Sequence, residues 1–142
     1  MTRREERGSA SLEAVIGVPA FALFVALIIM GGRTATAHQA LESAAADAAR
    51  SASLARSAPA AAEAARQAAR TSLANQDLSC TDVDVSVDVE AFTQAVGRDA
   101  SVAVTVACRL DLSDLSIPGV PGSHLLRASM SSPLDTWRER TP

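Results

Sequence analysis

The residues that suggest chemistry are few and widely spaced. Glu13 stands directly before Ala14–Met30, a run with no ionisable side chain, interrupted in composition by Pro19. A carboxylate at the edge of a membrane helix is costly, so it calls for a partner of opposite sign. The positive end of the helix dipole is one such partner and a free ammonium is another. A capping box is excluded, because Ser9 lies four residues ahead of Glu13 and the box needs three. Cys80 and Cys108 are the two cysteines, too few for a metal set and suited to a disulfide in an exported domain. His38 and His124 are isolated, outside any ligand spacing. Asp82, Asp84, Ser86 and Asp88 resemble the start of a calcium loop, yet Val87 occupies its glycine position and Thr93 its bidentate glutamate. The valines between them make this strip the wet face of a strand. No glycine-rich phosphate loop, nucleophile elbow or Cys–His pairing is present, so no enzyme, cofactor or metal site is expected.

The element that positions Glu13 is the apolar run itself. Residues 14–30 make roughly 26 Å of helix, and Leu12, Gly31 and Gly32 extend this toward the ~30 Å hydrocarbon thickness. A helix in the core of a small soluble protein shows a polar stripe, and this run has none. Arg3, Arg4 and Arg7 precede it, with Glu5 and Glu6 among them. An arginine excess on that side predicts a cytoplasmic N-terminus and an extracytoplasmic remainder.

Gly8, four residues, Glu13 and then the apolar run resemble the class III signal of type IV prepilins and pseudopilins. The closest resemblance is to TadE-like minor pseudopilins of the tight-adherence (Flp, type IVb) pilus system. The shared features are Arg-Gly-Ser-Ala-x-x-Glu, an early proline, and a Gly-Arg exit into alanine-rich helix, over about Arg7 to Ala45. The resemblance implies cleavage between Gly8 and Ser9 by a prepilin peptidase, with the helix staying in the bilayer. It also implies that Glu13, fifth after the cut, neutralises the new amino terminus of a neighbouring subunit during assembly. The implied partners are the lipid bilayer, the prepilin peptidase and other pilins or pseudopilins. The implied role is structural, in building or priming a pilus for adhesion. Ala14 departs from the aromatic that often follows the glutamate in Flp-type pilins. That residue and the chain's length argue against the major pilin.

Two other fates fit the same segment. Ala35-Thr36-Ala37 suits a conventional secretory signal cut after Ala37, although the apolar run exceeds the usual ~7–15 residues. An uncut single-span anchor is the third. Either would make the exported part an envelope binding domain with no pilus role.

The chain is 142 residues with net charge −3, and no basic cluster marks a nucleic-acid surface. No small-molecule site is indicated. Lysine is absent, and the aromatics are Phe21, Phe24, Phe92 and Trp137. A core of Ala, Val and Leu is small per residue, so a staple or partner is expected. Four regions follow: a cytoplasmic leader 1–8, a transmembrane assembly helix 9–33, alanine-rich helices 34–75, and a β domain with tail 76–142. Leu41, Ala45, Ala48, Ala52 and Ala55 share one face of a helix that continues the membrane span, to about 40 residues in all. Ser57-Ala58-Pro59 interrupts it. A second helix from about Ala60 to Asn75 pairs Glu63 with Arg66 and lies against the sheet.

Val83 to Val89 alternate with polar residues, and Val102 to Leu112 alternate on even positions. That predicts a hairpin with Gly97-Arg98-Asp99 as turn and Phe92 near its tip. Counted along a regular strand, Cys80 points away from Cys108. The bridge therefore requires Cys80 to lie ahead of the strand or a bulge to intervene. Asp114 to Ser123 reads as a loop and Leu125 to Ser131 as a third strand, with Leu126, Ala128 and Met130 on one face. Trp137 fits either an assembly contact or a cover for the domain's edge. The fold class is α+β and pilin-like: a long N-terminal helix, a short second helix and a three-stranded antiparallel sheet.

Overall fold

The computed structural model describes residues 6–78, 80–111, 122–137 and 139, with side chains from residue 14 onward. The chain divides into two compact units, Met1–Thr36 and Ala37–Pro142. The leader before residue 6 and most of the expected loop Asp114–Ser123 lie outside the described residues, as does Leu112.

Helix α1 spans Glu6–Ser53 and supplies all the described structure of the first unit. It is longer than the ~40 residues expected because it begins at Glu6, ahead of the apolar run, and it passes Pro19 and Gly31-Gly32 without a break. Proline there removes one backbone donor without ending the helix. Past the glycines, the Thr34 hydroxyl donates to the Met30 carbonyl at 2.8 Å and the Thr36 hydroxyl to the Gly32 carbonyl at 2.6 Å. These polar side chains thus find partners on their own helix.

In the second unit α1 buries Ala37, Leu41, Ala44, Ala45, Ala48, Ala49 and Ala52, a stripe at spacings of three and four. Ala55, past the helix end, packs only partly against this core. Helix α2 runs Ala58–Asn75, and its start follows from local chemistry. Ser57 is extended and its hydroxyl accepts from the Ala60 amide at 3.4 Å, while Pro59 sits in the first turn. Ala61, Ala65, Ala69 and Leu73 form its buried stripe. The two helices run antiparallel, since Ser72 donates to Asp47 Oδ2 at 2.8 Å and Gln76 Nε2 to the Ala40 carbonyl at 3.4 Å. Alanine on both sides allows close approach but buries little area per residue. The remaining cover comes from the sheet.

Strands β1 (Cys80–Val87), β2 (Ser101–Asp111) and β3 (Ser123–Pro133) form an antiparallel sheet in the order β1-β2-β3. The register sets Val83 opposite Cys108, Val85 opposite Val106 and Val87 opposite Val104. Odd residues of β1 thus share a face with even residues of β2, as the alternation predicts. Val102, Val104, Val106, Cys108 and Leu110 are buried, joined by Leu126 and Ala128 of β3. Met130 shares their parity but stays 37% exposed on its edge strand. The β1–β2 connection is wider than a tight hairpin. A 3-10 turn, Glu90–Thr93, places Phe92 in the core at 1% exposure, the largest of the fully buried side chains. Asp88 Oδ1 accepts from the Glu90 amide at 3.0 Å and fixes the start of that turn.

Gly97 has φ +91, the left-handed region that glycine tolerates best. Its amide donates to the Thr136 carbonyl at 2.8 Å, and the Leu134 amide donates to the Ala100 carbonyl at 2.9 Å. The tail is thereby held against the β1–β2 connection, with Leu134 buried.

Candidate functional site

Gly8 and Ser9 lie in the first turns of α1 and Glu13 one turn later. The side chains of Ser9 and Glu13 lie outside the described ones. On helical backbone, Ser9 and Glu13 are four apart and so share one face, about 6 Å apart along the axis. A new amino terminus at Ser9 would arise one turn from Glu13 on its own helix.

The segment that follows is uncovered. Val15, Ile16, Val18, Phe21, Leu23, Phe24, Leu27, Ile28 and Ile29 are all exposed, from 49% at Leu27 to 70% at Val15. Each large apolar side chain left in water forgoes about 1.5–3 kcal/mol of burial. A helix with so many of them is long and apolar enough to cross a membrane. Beyond it lies a polar collar. His38 Nε2 stands 3.6 Å from Glu42 Oε1, both about half exposed, a contact worth little in water.

Ala37, the residue before the alternative secretory cut, is 2% exposed and sits mid-helix. It is the first residue of the buried stripe and of the second unit.

Cys80 and Cys108 are joined by a disulfide with Cα atoms 5.5 Å apart. The irregularity that parity required is present. Cys80 pairs with Leu110 and Asp82 with Arg109, so Thr81 is an extra residue that turns Cys80 inward. The Thr81 hydroxyl donates to the Arg109 carbonyl at 3.0 Å and anchors the bulge. The bridge is thus a diagonal link between the two strands of one hairpin, with Cys108 fully buried.

Asp82, Asp84, Ser86 and Asp88 are exposed and alternate with half-buried valines, the solvent side of β1. His124 is exposed opposite Leu110. Arg66 pairs with Glu63 at 3.6 Å on exposed helix surface, and Arg70 is exposed as well. Trp137 does not cover the domain's edge. It is 83% exposed, and Leu134 does the covering instead. Two groups were not apparent from periodicity: the Asp47–Ser72 link between helices and the burial of Phe92. A serine inside an alanine-rich apolar stripe was the available signal for the first.

Residues 8–50 match the family of TadE-like protein. The matched stretch is under a third of the chain and runs from the Gly8 region through the apolar segment into the buried alanine stripe. No curated protein and no solved structure matches the chain.

Proposed function

We propose that this chain is a membrane-anchored minor pseudopilin that takes part in assembling a tight-adherence pilus. The carrying observation is that one uninterrupted helix, Glu6–Ser53, holds both the uncovered apolar stretch and the alanine stripe buried in the second unit. The TadE-like match spans the same two parts. Its cover of the apolar half as well as the stripe supports reading the whole helix as retained. The N-terminus stays cytoplasmic, and residues 37–142 lie on the far side of the membrane, where the Cys80–Cys108 bridge persists. A prepilin peptidase removes residues 1–8, whose net charge is +1, leaving −4. Glu13 then neutralises the freed ammonium at Ser9 of a neighbouring subunit. In low dielectric that pairing offsets the cost of a lone carboxylate. The role is structural and needs no catalytic group or cofactor.

Intact mass of the protein recovered from its native membrane tests this reading. Loss of residues 1–8 is expected. A product starting at His38 would make it a secreted domain, and an uncut chain a simple anchor. Gly8→Val is expected to leave the chain uncut. Glu13→Ala is expected to be cut normally and yet to lower pilus number, counted by electron microscopy. Normal pilus assembly in that variant would remove the carboxylate from the mechanism.

A further inference from the structure

The outer face of the sheet, turned away from both helices, has a charge pattern that fits a second copy of the same chain. Read across β1, β2 and β3, its rows are Asp82, Arg109, Leu125, then Asp84, Ala107, Arg127, then Ser86, Thr105, Ser129. These residues are exposed or half-buried, and no described element packs on them. One lateral edge is acidic, the other carries Arg127, and the middle has small Thr105 and Ala107 with Arg109 at one end. Among the described residues neither Asp84 nor Arg127 is in an ion pair. They stand two strands apart, roughly 10 Å between backbones.

We infer that two copies pair through this face, sheet on sheet, about a two-fold axis running along β2. Charge selects both occupant and axis. This axis lays β1 of each copy over β3 of the other, so Asp84 meets Arg127 of the second copy, twice by symmetry. An axis across the strands would set β1 on β1, acid on acid. Thr105 and Ala107 meet their own counterparts on the axis, and their small size permits the ~10 Å separation of aligned sheets. Arg109 also meets its counterpart there, each arginine flanked by an Asp82 from both copies.

Strand direction fixes how the rest of each second unit lies in such a pair. Ser132, near the end of β3, donates to Ser53, near the end of α1, at 3.0 Å. Gln76, shortly before β1, reaches the Ala40 carbonyl. Strands β1 and β3 therefore run the same way as α1 residues 37–53. A two-fold along the strands sets residues 37–53 of the two copies parallel, and the pair is one between chains anchored in the same bilayer. The pairing thus rests on the anchored reading above. The face offers only about 300 Å² per copy, well under the ~800 Å² of a stable soluble dimer. Tethering supplies the rest, by raising the effective concentration.

The test uses the full chain in phospholipid vesicles with Thr105→Cys as reporter, a free thiol beside the native bridge. The ~10 Å sheet spacing is too wide for a direct disulfide, so a short bismaleimide is used. It is expected to give a crosslinked dimer, faster than with an otherwise equal Gln67→Cys reporter on α2. Adding Asp84→Arg or Arg127→Asp should slow it about tenfold, since two exposed pairs become repulsive. Combining both changes should restore the rate, with the native bridge checked by intact mass in every variant. A Thr105→Cys yield no higher than that of Gln67→Cys overturns the pairing, and so does a double variant that fails to recover. Linkage to a different protein in native membranes, with none to its own copy, overturns it too. Vesicle flotation reports the anchor separately. Chain that floats without linking refutes the pairing alone, whereas chain that fails to float refutes the anchor and the tethered pairing with it.

Discussion

Phe92 shows how one residue closes a core made of small ones. The buried stripes of α1 and α2 are nearly all alanine, and the inward face of β2 is chiefly valine. Phe92 is the largest fully buried side chain, delivered by a 3-10 turn rather than a strand. Its replacement leaves a void that alanines cannot move in to fill. Phe92→Ala is therefore expected to cost about 3–5 kcal/mol of second-unit stability. Trp137 fluorescence is a poor reporter, because that ring is already 83% exposed in the folded chain. Hydrogen exchange of the β2 amides against denaturant is the suitable measurement, and an unchanged midpoint would contradict the assigned role. Phe92 was legible as a lone aromatic near a turn but not as the core's centre. Periodicity describes elements, and this residue belongs to none of the periodic ones.

At the scale of elements, sequence pattern was most informative where two rules met. Alternating valines predicted β1 and β2 and also made a regular Cys80–Cys108 bridge impossible, so a bulge was required, and Thr81 provides it. Exchanging the two residues, Cys80→Thr with Thr81→Cys, should put the cysteine on the exposed bulge position, away from Cys108. Two free thiols are then expected by alkylation and mass, together with a loss of about 3–4 kcal/mol for the ~29-residue loop on the chain-entropy model. Persistence of the bridge in that variant would show that the strand slips to accommodate it. Proline and serine chemistry located the break between α1 and α2 within a few residues. Less legible was the tail. Its contacts with Gly97 and Ala100 are backbone to backbone, and such bonds leave no trace in side-chain patterning. For the same reason Trp137 invited an edge-covering role that the neighbouring Leu134 fills.

For the whole molecule, the division after Thr36 separates two ways of handling apolar surface. Beyond it, alanine and valine are covered by other parts of the chain. Before it, large side chains from Val15 to Ile29 are covered by nothing described. The proposed cover is lipid, and one substitution addresses it. Leu23→Arg, near the middle of the run, should cost about 2.5–3.5 kcal/mol for membrane insertion. A smaller fraction resistant to alkaline extraction is expected, while the Cys80–Cys108 hairpin should persist in whatever chain is exported. An undiminished membrane fraction would mean that the run is not embedded. A helix long and apolar enough to span was legible from composition alone, whereas the placing of the sheet's charges on its outer face required the fold.

The bridged hairpin also implies an order of events under the proposed topology. While residues 37–142 are still on the reducing side, both sulfurs remain thiols and the alanine-poor half of the fold lacks its clasp. Such a chain is easier to thread through a translocation channel than the finished domain would be. Oxidation on arrival then closes the β1–β2 loop, so the domain tightens only after it has reached the side where it is to work.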